Sequence, residues 1–467
     1  MTAATDATPA RINHRAVILA AATAALGGFL FGFDTAIVNG TVDAVKAQFH
    51  IPTSAIGFVV ASALLGSAVG AWFAGPIADR IGRVKVMVGS GIIFVISALG
   101  SAYAFGAWSL VFWRVFGGLA VGAASVIAPA YIAEVAPSEL RGRLGSLQQM
   151  AIVIGIFASQ LVAYFLARAA GGAQNTLWGY GEAWRWMYGS AAIPALIYGA
   201  LALTLPESPR YLVRRRRIPQ AKAVLQKMVG GDVDGRIKDI EDTLRGGADK
   251  VRLSDLRGPF LGLLPIVWVG ILLSVFQQFV GINVIFYYSA TLWQSVGFSQ
   301  NDSLLISTIT SLTNIVGTIV AIALIDRVGR KPLLMTGAIG MVITLGILAG
   351  CFSTATGHGT DLHIGNVIGK VALVAANLYV LSFAASWGPV VWVLLGEMFN
   401  NRIRATALAV AAAAQWLANW VVSTSFPSLA DFSLVFSYGL YATMALLALV
   451  FVWRAVRETK GRELESM

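Results

Sequence analysis

The chain has 467 residues, of which 57% are hydrophobic and only 12% are charged, and its mean hydropathy is +0.73. A soluble domain usually carries about 25% charged residues, so this composition excludes an ordinary cytosolic globular protein, and it also excludes a disordered chain. The single cysteine, Cys351, excludes a disulfide scaffold, and the net charge of +11 in so apolar a chain indicates loops that set membrane topology rather than nucleic-acid binding.

Twelve apolar segments follow one another along the chain, and each is close to, or longer than, the roughly 20 residues that cross a hydrocarbon core. The predicted segments are 16–40, 56–77, 86–104, 107–131, 144–167, 186–205, 260–290, 304–325, 333–353, 366–395, 405–424 and 433–455. The strand signal of alternating apolar and polar residues is absent, which disfavours a transmembrane barrel. We therefore predict an all-α protein of twelve transmembrane helices without a cleaved signal peptide.

The stretch between the sixth and seventh segments has a different character, because it is strongly charged and contains four consecutive arginines at 214–217. Helical spacing over 218–244 predicts short amphipathic helices in this stretch. The predicted regions are an N-terminus at 1–15, a six-helix half at 16–205, a short helical domain at 206–258, a second six-helix half at 259–455 and a C-terminus at 456–467.

Basic residues concentrate on one side of the predicted bundle, the side with both termini and the long loop. The five exceptions among the 34 lysines and arginines are Lys46, Arg114, Arg168, Arg185 and Lys370. By the positive-inside rule, we expect a multi-pass protein of the cell membrane with both termini in the cytoplasm.

Loop residues that follow corresponding segments repeat in the two halves. Asp79, Arg80 and Arg83 follow segment two as Asp326, Arg327 and Arg330 follow segment eight. Glu134 and Arg141 follow segment four with the spacing that Glu397 and Arg404 have after segment ten. Matched pairs in the same order indicate two pseudo-symmetric six-helix repeats, an arrangement used by many secondary transporters.

Five further motifs resemble those of the sugar porter family in the major facilitator superfamily. They are GGFLFGFDT at 27–35, PESPR at 206–210, QQFVGIN at 277–283, SWGPVVW at 386–392 and AQWLAN at 414–419. The resemblance covers about residues 16–463 and is strongest to bacterial proton-coupled D-xylose and D-glucose symporters, with animal glucose facilitators more distant. Two positions depart from the family pattern: Phe33 stands where tyrosine is usual, and Arg457 replaces the proline before Glu458.

Amide side chains lie within apolar segments of both halves. An unsatisfied amide is costly in lipid, so the conservative interpretation is hydrogen bonding between helices. Amides beside tryptophans also suit a neutral polyol, whose hydroxyl groups donate and accept hydrogen bonds. The family resemblance implies sugar contacts at Gln149, Gln277, Gln278, Asn283, Asn314, Trp392, Gln415 and Trp416. Further candidates for a gate or pocket lining are Phe31, Tyr287, Gly388, Pro389 and Asn419.

Two charges fall inside predicted spans, Asp34 in segment one and Arg114 in segment four. Such residues are costly in a membrane and are functional candidates by default. A static ion pair between helices is one interpretation. The other is a proton switch, because burial favours a neutral carboxylic acid whereas a nearby arginine favours its ionised form. The resemblance favours the switch, since the symporters share both residues and the animal facilitators have asparagine at the position of Asp34.

The repeated loop charges suggest a salt-bridge latch that joins the two halves on the cytoplasmic side and favours an outward-facing state. Its candidate members are Asp79, Arg80, Arg83, Glu134, Arg141, Asp326, Arg327, Arg330, Glu397 and Arg404. Gly388 and Pro389 suggest a flexing point in segment ten, because proline removes a backbone donor and kinks a helix.

These features predict a monomeric secondary transporter in the lipid bilayer that imports a monosaccharide, D-glucose or a relative such as D-xylose, together with protons. The alternatives are a proton-independent uniporter, in which Asp34 is structural, and a sugar receptor, which the short C-terminal tail disfavours. No metal-ligand cluster, nucleotide-binding motif or cofactor motif is visible in the sequence, so we expect neither an enzyme nor ATP-driven transport.

Overall fold

The computed structural model describes residues 13–136, 138–228, 230, 232–246, 253–356, 364–399 and 403–460. Across these residues the chain is helical and contains no named strand. The helices of the first half are α1 (His14–Ala36), α2 (Val42–Gln48), α3 (Thr53–Ile81), α4 (Arg83–Ala102), α5 (Ala107–Val135), α6 (Ser138–Ala170), α7 (Ala183–Ser190) and α8 (Ala192–Ala202), with a 3₁₀ turn at Ile37–Gly40.

The charged stretch after α8 forms three short helices, as its spacing predicts. They are α9 (Pro209–Arg214), α10 (Ile218–Met228) and α11 (Val233–Gly246). The second half then follows as α12 (Pro265–Phe279), α13 (Ile282–Ser295), α14 (Gln300–Val328), α15 (Arg330–Ser353), α16 (Asn366–Ala384), α17 (Trp387–Met398), α18 (Arg404–Phe432) and α19 (Leu434–Ala455).

Eleven helical stretches of the described chain are long and apolar enough to cross a membrane. The sixth predicted segment is the exception, because α7 and α8 are separated at Ala191 and neither reaches the length of a span alone. Together they cover Ala183–Ala202, which completes a twelve-helix architecture. With an even number of spans, both ends of the chain lie at one end of the bundle, here termed the terminal face; the opposite end is the far face.

The two halves contain the same turn at equivalent places. Gly82, between α3 and α4, has φ 106° and ψ 159°, and Gly329, between α14 and α15, has φ 105° and ψ 166°. This backbone region favours glycine because a side chain would be strained there. The matched geometry supports the repeat that the loop sequences predict.

The seventh and tenth predicted segments are each broken in two, although their apolar runs are continuous in sequence. Gly281, with φ 85°, separates α12 from α13, and the hydroxyl group of Tyr379 donates a 2.7 Å hydrogen bond to the freed Val280 carbonyl. Residues 385–386 separate α16 from α17. Segment seven also begins later than predicted, at Pro265 rather than residue 260, because Leu261 and Gly262 form a turn with positive φ.

The break in segment ten lies before the flexing point predicted at Gly388 and Pro389. Ser386 has φ −143° and ψ −87°, which ends the helical path, and Trp387 starts α17. Pro389 therefore occupies the first turn of α17, where a missing backbone donor leaves no helical hydrogen bond unmade. Gly388 and Pro389 are both buried.

Candidate functional site

A buried ion pair joins α1 to α5. The Nη1 atom of Arg114 lies 2.9 Å from Asp34 Oδ2 and 3.2 Å from the Asp34 carbonyl oxygen. The side chains of Arg114 and Asp34 are only 3% and 10% exposed. Burial at this level makes the pair sensitive to any change of charge, because removing one partner leaves the other uncompensated.

The environment of Arg114 contains a second feature, since its Cζ atom lies 5.5 Å from the ring centroid of Tyr188. Tyr188 accepts a 3.0 Å hydrogen bond from the hydroxyl group of Thr41. The Arg114 Nε atom is buried and has no hydrogen-bond partner among the described residues. The arginine is thus held by one carboxylate and one aromatic face, which leaves a donor available for a second arrangement.

A chain of amide hydrogen bonds crosses the break in the seventh span. Asn283 Nδ2 donates to Gln278 Oε1 at 2.5 Å, and Gln278 Nε2 donates to Gln277 Oε1 at 3.3 Å. Gln277 Nε2 then donates to the Trp387 and Gly388 carbonyl oxygens at 2.9 and 3.2 Å. The amides therefore fix the broken ends of both discontinuous spans relative to each other.

Aromatic side chains from the two halves also meet. The rings of Phe31 on α1 and Trp416 on α18 are 5.2 Å apart. Trp392 on α17 is 39% exposed. This exposure leaves an aromatic face free, as stacking on a sugar ring requires.

The remaining predicted amides differ in burial and satisfaction. Asn314 is 5% exposed, and Gln149 is half-buried. Gln415 Oε1 is buried without a hydrogen-bond partner in the part of the chain that the structure describes. An unpaired buried amide oxygen is costly, so Gln415 has unused capacity to accept a ligand hydroxyl.

Tyr287 links the ion pair to the amide and aromatic groups. Its side chain, 5% exposed, lies close to Thr35, next to Asp34, and to Asn419 on α18. Asn419 in turn accepts a 3.0 Å hydrogen bond from Ser423. One tyrosine on α13 therefore contacts both halves of the bundle within one residue of the buried carboxylate.

Further contacts close the far face, and sequence reasoning missed their residues. Asn39 donates to Gln160 at 2.9 Å and accepts a 2.9 Å hydrogen bond from the backbone of Ala290, and Gln160 donates to the Phe286 carbonyl at 3.2 Å. Gln160 lies in a predicted span and meets the criterion that identified the other amides. Asn39 lies where a predicted span ends, where polar residues are ordinary.

Two charge clusters with the same internal geometry lie at the terminal face. In the N-half cluster, Arg83 Nε lies 3.0 Å from Glu134 Oε2; in the C-half cluster, Arg330 Nε lies 3.0 Å from Glu397 Oε2. The N-half cluster comprises Asp79, Arg83, Glu134, Glu207 and Ser208. The C-half cluster comprises Asp326, Arg330, Glu397, Glu458 and Thr459.

Among the described residues, every ion pair within these clusters joins residues of one half, and none forms the predicted latch between halves. Arg80 and Arg327 contribute their carbonyl oxygens, which accept from Tyr211 and Lys460 respectively. The side chains of Arg141 and Arg404 lie outside the described residues. The latch stays a prediction for another conformation.

Glu207 and Glu458 anchor the clusters, although the sequence suggested no role for them beyond their motifs. Burial raises the pKa of Glu458, but hydrogen bonds from the backbone of Lys460, Arg330, Lys331 and Thr459 outweigh it and hold the pKa below its usual value. The carboxylate is thus kept ionised where it caps the first turn of α15. Arg457 does not prevent this contact, because Glu458 reaches the helix in its presence.

The sequence matches a known protein family. The family model described as "Sugar (and other) transporter" matches residues 20–467. The chain is 56% identical to the glucose transport protein of Synechocystis sp. over 97% of both chains. It is 40% identical to the D-xylose-proton symporter of Escherichia coli K12 over 95% of this chain and 93% of the relative.

Solved structures of the xylose transporter from E. coli share the fold. A partially occluded inward-open conformation matches with a TM-score of 0.81 and 36% identity, covering 95% of this chain and all of that one. A complex with 6-bromo-6-deoxy-D-glucose matches with a TM-score of 0.80 and 38% identity, covering 97% of this chain and 99% of that one.

Proposed function

This chain belongs to the sugar (and other) transporter family, and we propose that it imports a monosaccharide, D-glucose or a relative such as D-xylose, by proton symport through alternating access. The names of its relatives support the substrate class, since one is a glucose transport protein and another is a D-xylose-proton symporter. The protein acts as a carrier and performs no enzymatic step.

The orientation and setting follow from charge and hydropathy. Basic residues concentrate at the terminal face, which we therefore assign to the cytoplasm, and the far face is external. The exposed apolar side chains of the spans, such as Ile92, Ile193 and Ile319, suit contact with lipid tails. We expect the monomer in the cell membrane to be sufficient for transport.

The buried Asp34–Arg114 pair is the observation that carries proton coupling. Asp34 lies one residue from Thr35, which contacts Tyr287, and Tyr287 follows Asn283 by one helical turn. A proton on Asp34 would weaken its attraction to Arg114 and move the end of α1. Because Tyr287 packs on that end, the movement would reach both the sugar site and the far-face contacts.

Return of the proton follows from the same pair. Once the carrier opens to the cytoplasm, water can reach Asp34 and take up its proton. Closing the pair again resets the empty carrier. The unpartnered Arg114 Nε gives the arginine a donor for whichever group it contacts while Asp34 is neutral.

Sugar recognition uses the amide chain and the aromatic faces. Gln278, Asn283 and Gln415 offer donors and acceptors to hydroxyl groups, while Trp392 offers an exposed face to the apolar side of the ring. Gln277 uses its donors on backbone carbonyls, so its role is to hold Gln278 in place. Gln149 and Asn314 complete the pocket from α6 and α14.

The charge clusters supply the cytoplasmic latch in the opposite state. With the far face closed, each cluster satisfies its charges within its own half. When the halves rock so that the cytoplasmic side closes, the clusters approach each other, and Arg141 and Arg404 are placed in sequence to bridge them. This exchange of partners makes the two states discrete.

Uptake into proteoliposomes tests the proposal. Radiolabelled D-glucose and D-xylose are offered with an inward proton gradient, without one, and with a protonophore. Accumulation above equilibrium that requires the gradient supports symport. Equilibration at a rate independent of the gradient would instead establish a uniporter, and no uptake of either sugar would contradict the assignment.

A further inference from the structure

A carboxylate bridges the two halves at the far face, away from the Asp34–Arg114 pair. Asp43 on α2 accepts a hydrogen bond from Thr291 on α13, with Oγ1 3.1 Å from both carboxylate oxygens. It also accepts a 3.0 Å hydrogen bond from Gln294 Nε2, again on α13. Because α2 belongs to the first half and α13 to the second, these bonds exist while the far face is closed.

Asp43 also lines a cavity between the halves. Thr53 on α3, Thr291 on α13 and Asp431 on α18 line the same space. The carboxylate is half-buried, so it is packed against the partner half but still borders this cavity. A proton can therefore reach it from the external side without passing the sugar site.

Few charged groups surround Asp43. Lys46, one turn along α2, borders the cavity, and its ammonium group donates a 2.9 Å hydrogen bond to the Thr53 hydroxyl oxygen. Asp431 on α18 adds a second carboxylate, and Tyr288 on α13 adds a phenol. Glu182, before α7, accepts a 3.1 Å hydrogen bond from Gln48 at the end of α2.

Closure of the far face changes the solvation of Asp43. Burial raises its pKa above the usual value, although Thr291, Lys46 and Gln294 act in the opposite direction. In the open state the carboxylate faces water, and its pKa returns to the ordinary value of an aspartate. The closed state thus binds a proton more tightly than the open state.

A neutral carboxyl group can keep both contacts with α13. Its carbonyl oxygen accepts from Gln294, and its hydroxyl group donates to the Thr291 hydroxyl oxygen. Protonation therefore removes the desolvation of a charge without losing a hydrogen bond. By linkage, closure gains stability as the pH falls through the closed-state pKa, and the gain is complete below the open-state pKa.

We propose that Asp43 is a gating residue of the external face: its side chain joins the two halves when that face is closed, and a proton taken up from outside favours closure. The proposal rests on the alternating access of the proposed function, but it depends neither on the identity of the sugar nor on coupling at Asp34. Closure of the external face then has a protonatable group of its own, separate from Asp34.

Spin-label distances test this gate in the purified full-length chain. Labels at Ser54 on α3 and Phe432 on α18, both exposed near the far face, report its opening. The measurements use an Asp34→Asn background, so that titration of Asp34 does not contribute. In this background the closed fraction should rise as the pH falls through the closed-state pKa of Asp43, which lies above the ordinary range for a carboxyl group.

Adding Asp43→Asn should abolish this dependence on pH and keep the closed fraction high throughout, because asparagine resembles the neutral acid. Asp431→Asn is the matched control, since Asp431 lines the same cavity without bonding α13, and it should preserve the dependence.

Thr291→Val, which keeps the carboxylate but removes a donor, should lower the closed fraction. An unchanged pH dependence in Asp34→Asn/Asp43→Asn, or an unchanged closed fraction in Thr291→Val, would overturn the proposal.

Discussion

Replacement of Gln277 by methionine tests whether the amide chain positions the sugar site. Methionine is similarly long and unbranched, so the change removes hydrogen bonds with little loss of packing. In the parent protein, Gln277 Nε2 donates hydrogen bonds to the Trp387 and Gly388 carbonyl oxygens, and Gln277 Oε1 accepts one from Gln278. The variant should fold, because these bonds hold the ends of broken spans rather than a continuous helix.

The expected magnitude follows from the groups that lose their partners. An unsatisfied buried polar group costs about 1–3 kcal/mol, and every 1.4 kcal/mol is about a factor of ten in affinity. If Gln278 loses its orientation, D-glucose affinity should therefore fall by about 5- to 150-fold in Gln277→Met. Gln278→Met should weaken binding at least as strongly, because it removes the contact itself.

Isothermal titration of D-glucose into the purified variants measures this change, and thermal unfolding reports folding. Asn377→Leu is the control, since it removes an amide that accepts a 3.2 Å hydrogen bond from Thr313 between α14 and α16, away from the site. That variant should lose some stability but keep its affinity. A Kd in Gln277→Met that stays within about twofold of the parent protein would refute the positioning argument.

Three further results are expected. Trp392→Ala should weaken sugar binding strongly in titration while leaving the thermal midpoint close to the parent value, because the exposed indole contributes to the site more than to packing. Glu397→Gln should lengthen spin-label distances across the cytoplasmic face, because it removes a charge from the proposed latch between the halves; an unchanged distribution would assign these charges to topology alone. Gly281→Ala should lower the free energy of unfolding by about 1 kcal/mol or more, because a side chain is strained at the positive φ of this position and because the new Cβ would also lie 2.7 Å from the Tyr441 ring.

Much of the fold is predictable from hydropathy and from paired loop residues. The apolar segments correspond to helices, and the repeated Asp79–Arg83 and Asp326–Arg330 motifs reappear as matching turns and clusters. The structure also brings together Asp34 and Arg114, the two charges that the sequence places inside spans. Charge within an apolar segment is a strong signal, because a membrane leaves so few alternatives.

Other features depend on contacts that a linear pattern does not contain. The breaks at Gly281 and Ser386 interrupt runs that are apolar throughout, so hydropathy predicts continuous helices there. In the sequence Asp43 looks like an ordinary charge outside the apolar segments, because its hydrogen-bond partners lie far along the chain on α13. The loop charges repeat in both halves, but their spacing does not reveal that Arg83 and Arg330 each pair within their own half.

Proton-driven accumulation of sugar by Asp34→Asn tests whether Asp34 carries the coupled proton. Proteoliposomes carrying this variant are compared with the parent protein and with Asp302→Asn, an exposed aspartate at the far face. At one proton per sugar, each unit of pH difference supports about tenfold accumulation. If Asp34 carries the coupled proton, Asp34→Asn should lose accumulation but keep sugar binding and counterflow, while Asp302→Asn should keep all three. Accumulation of sugar against the sugar gradient by Asp34→Asn would contradict the assignment of the coupled proton to Asp34.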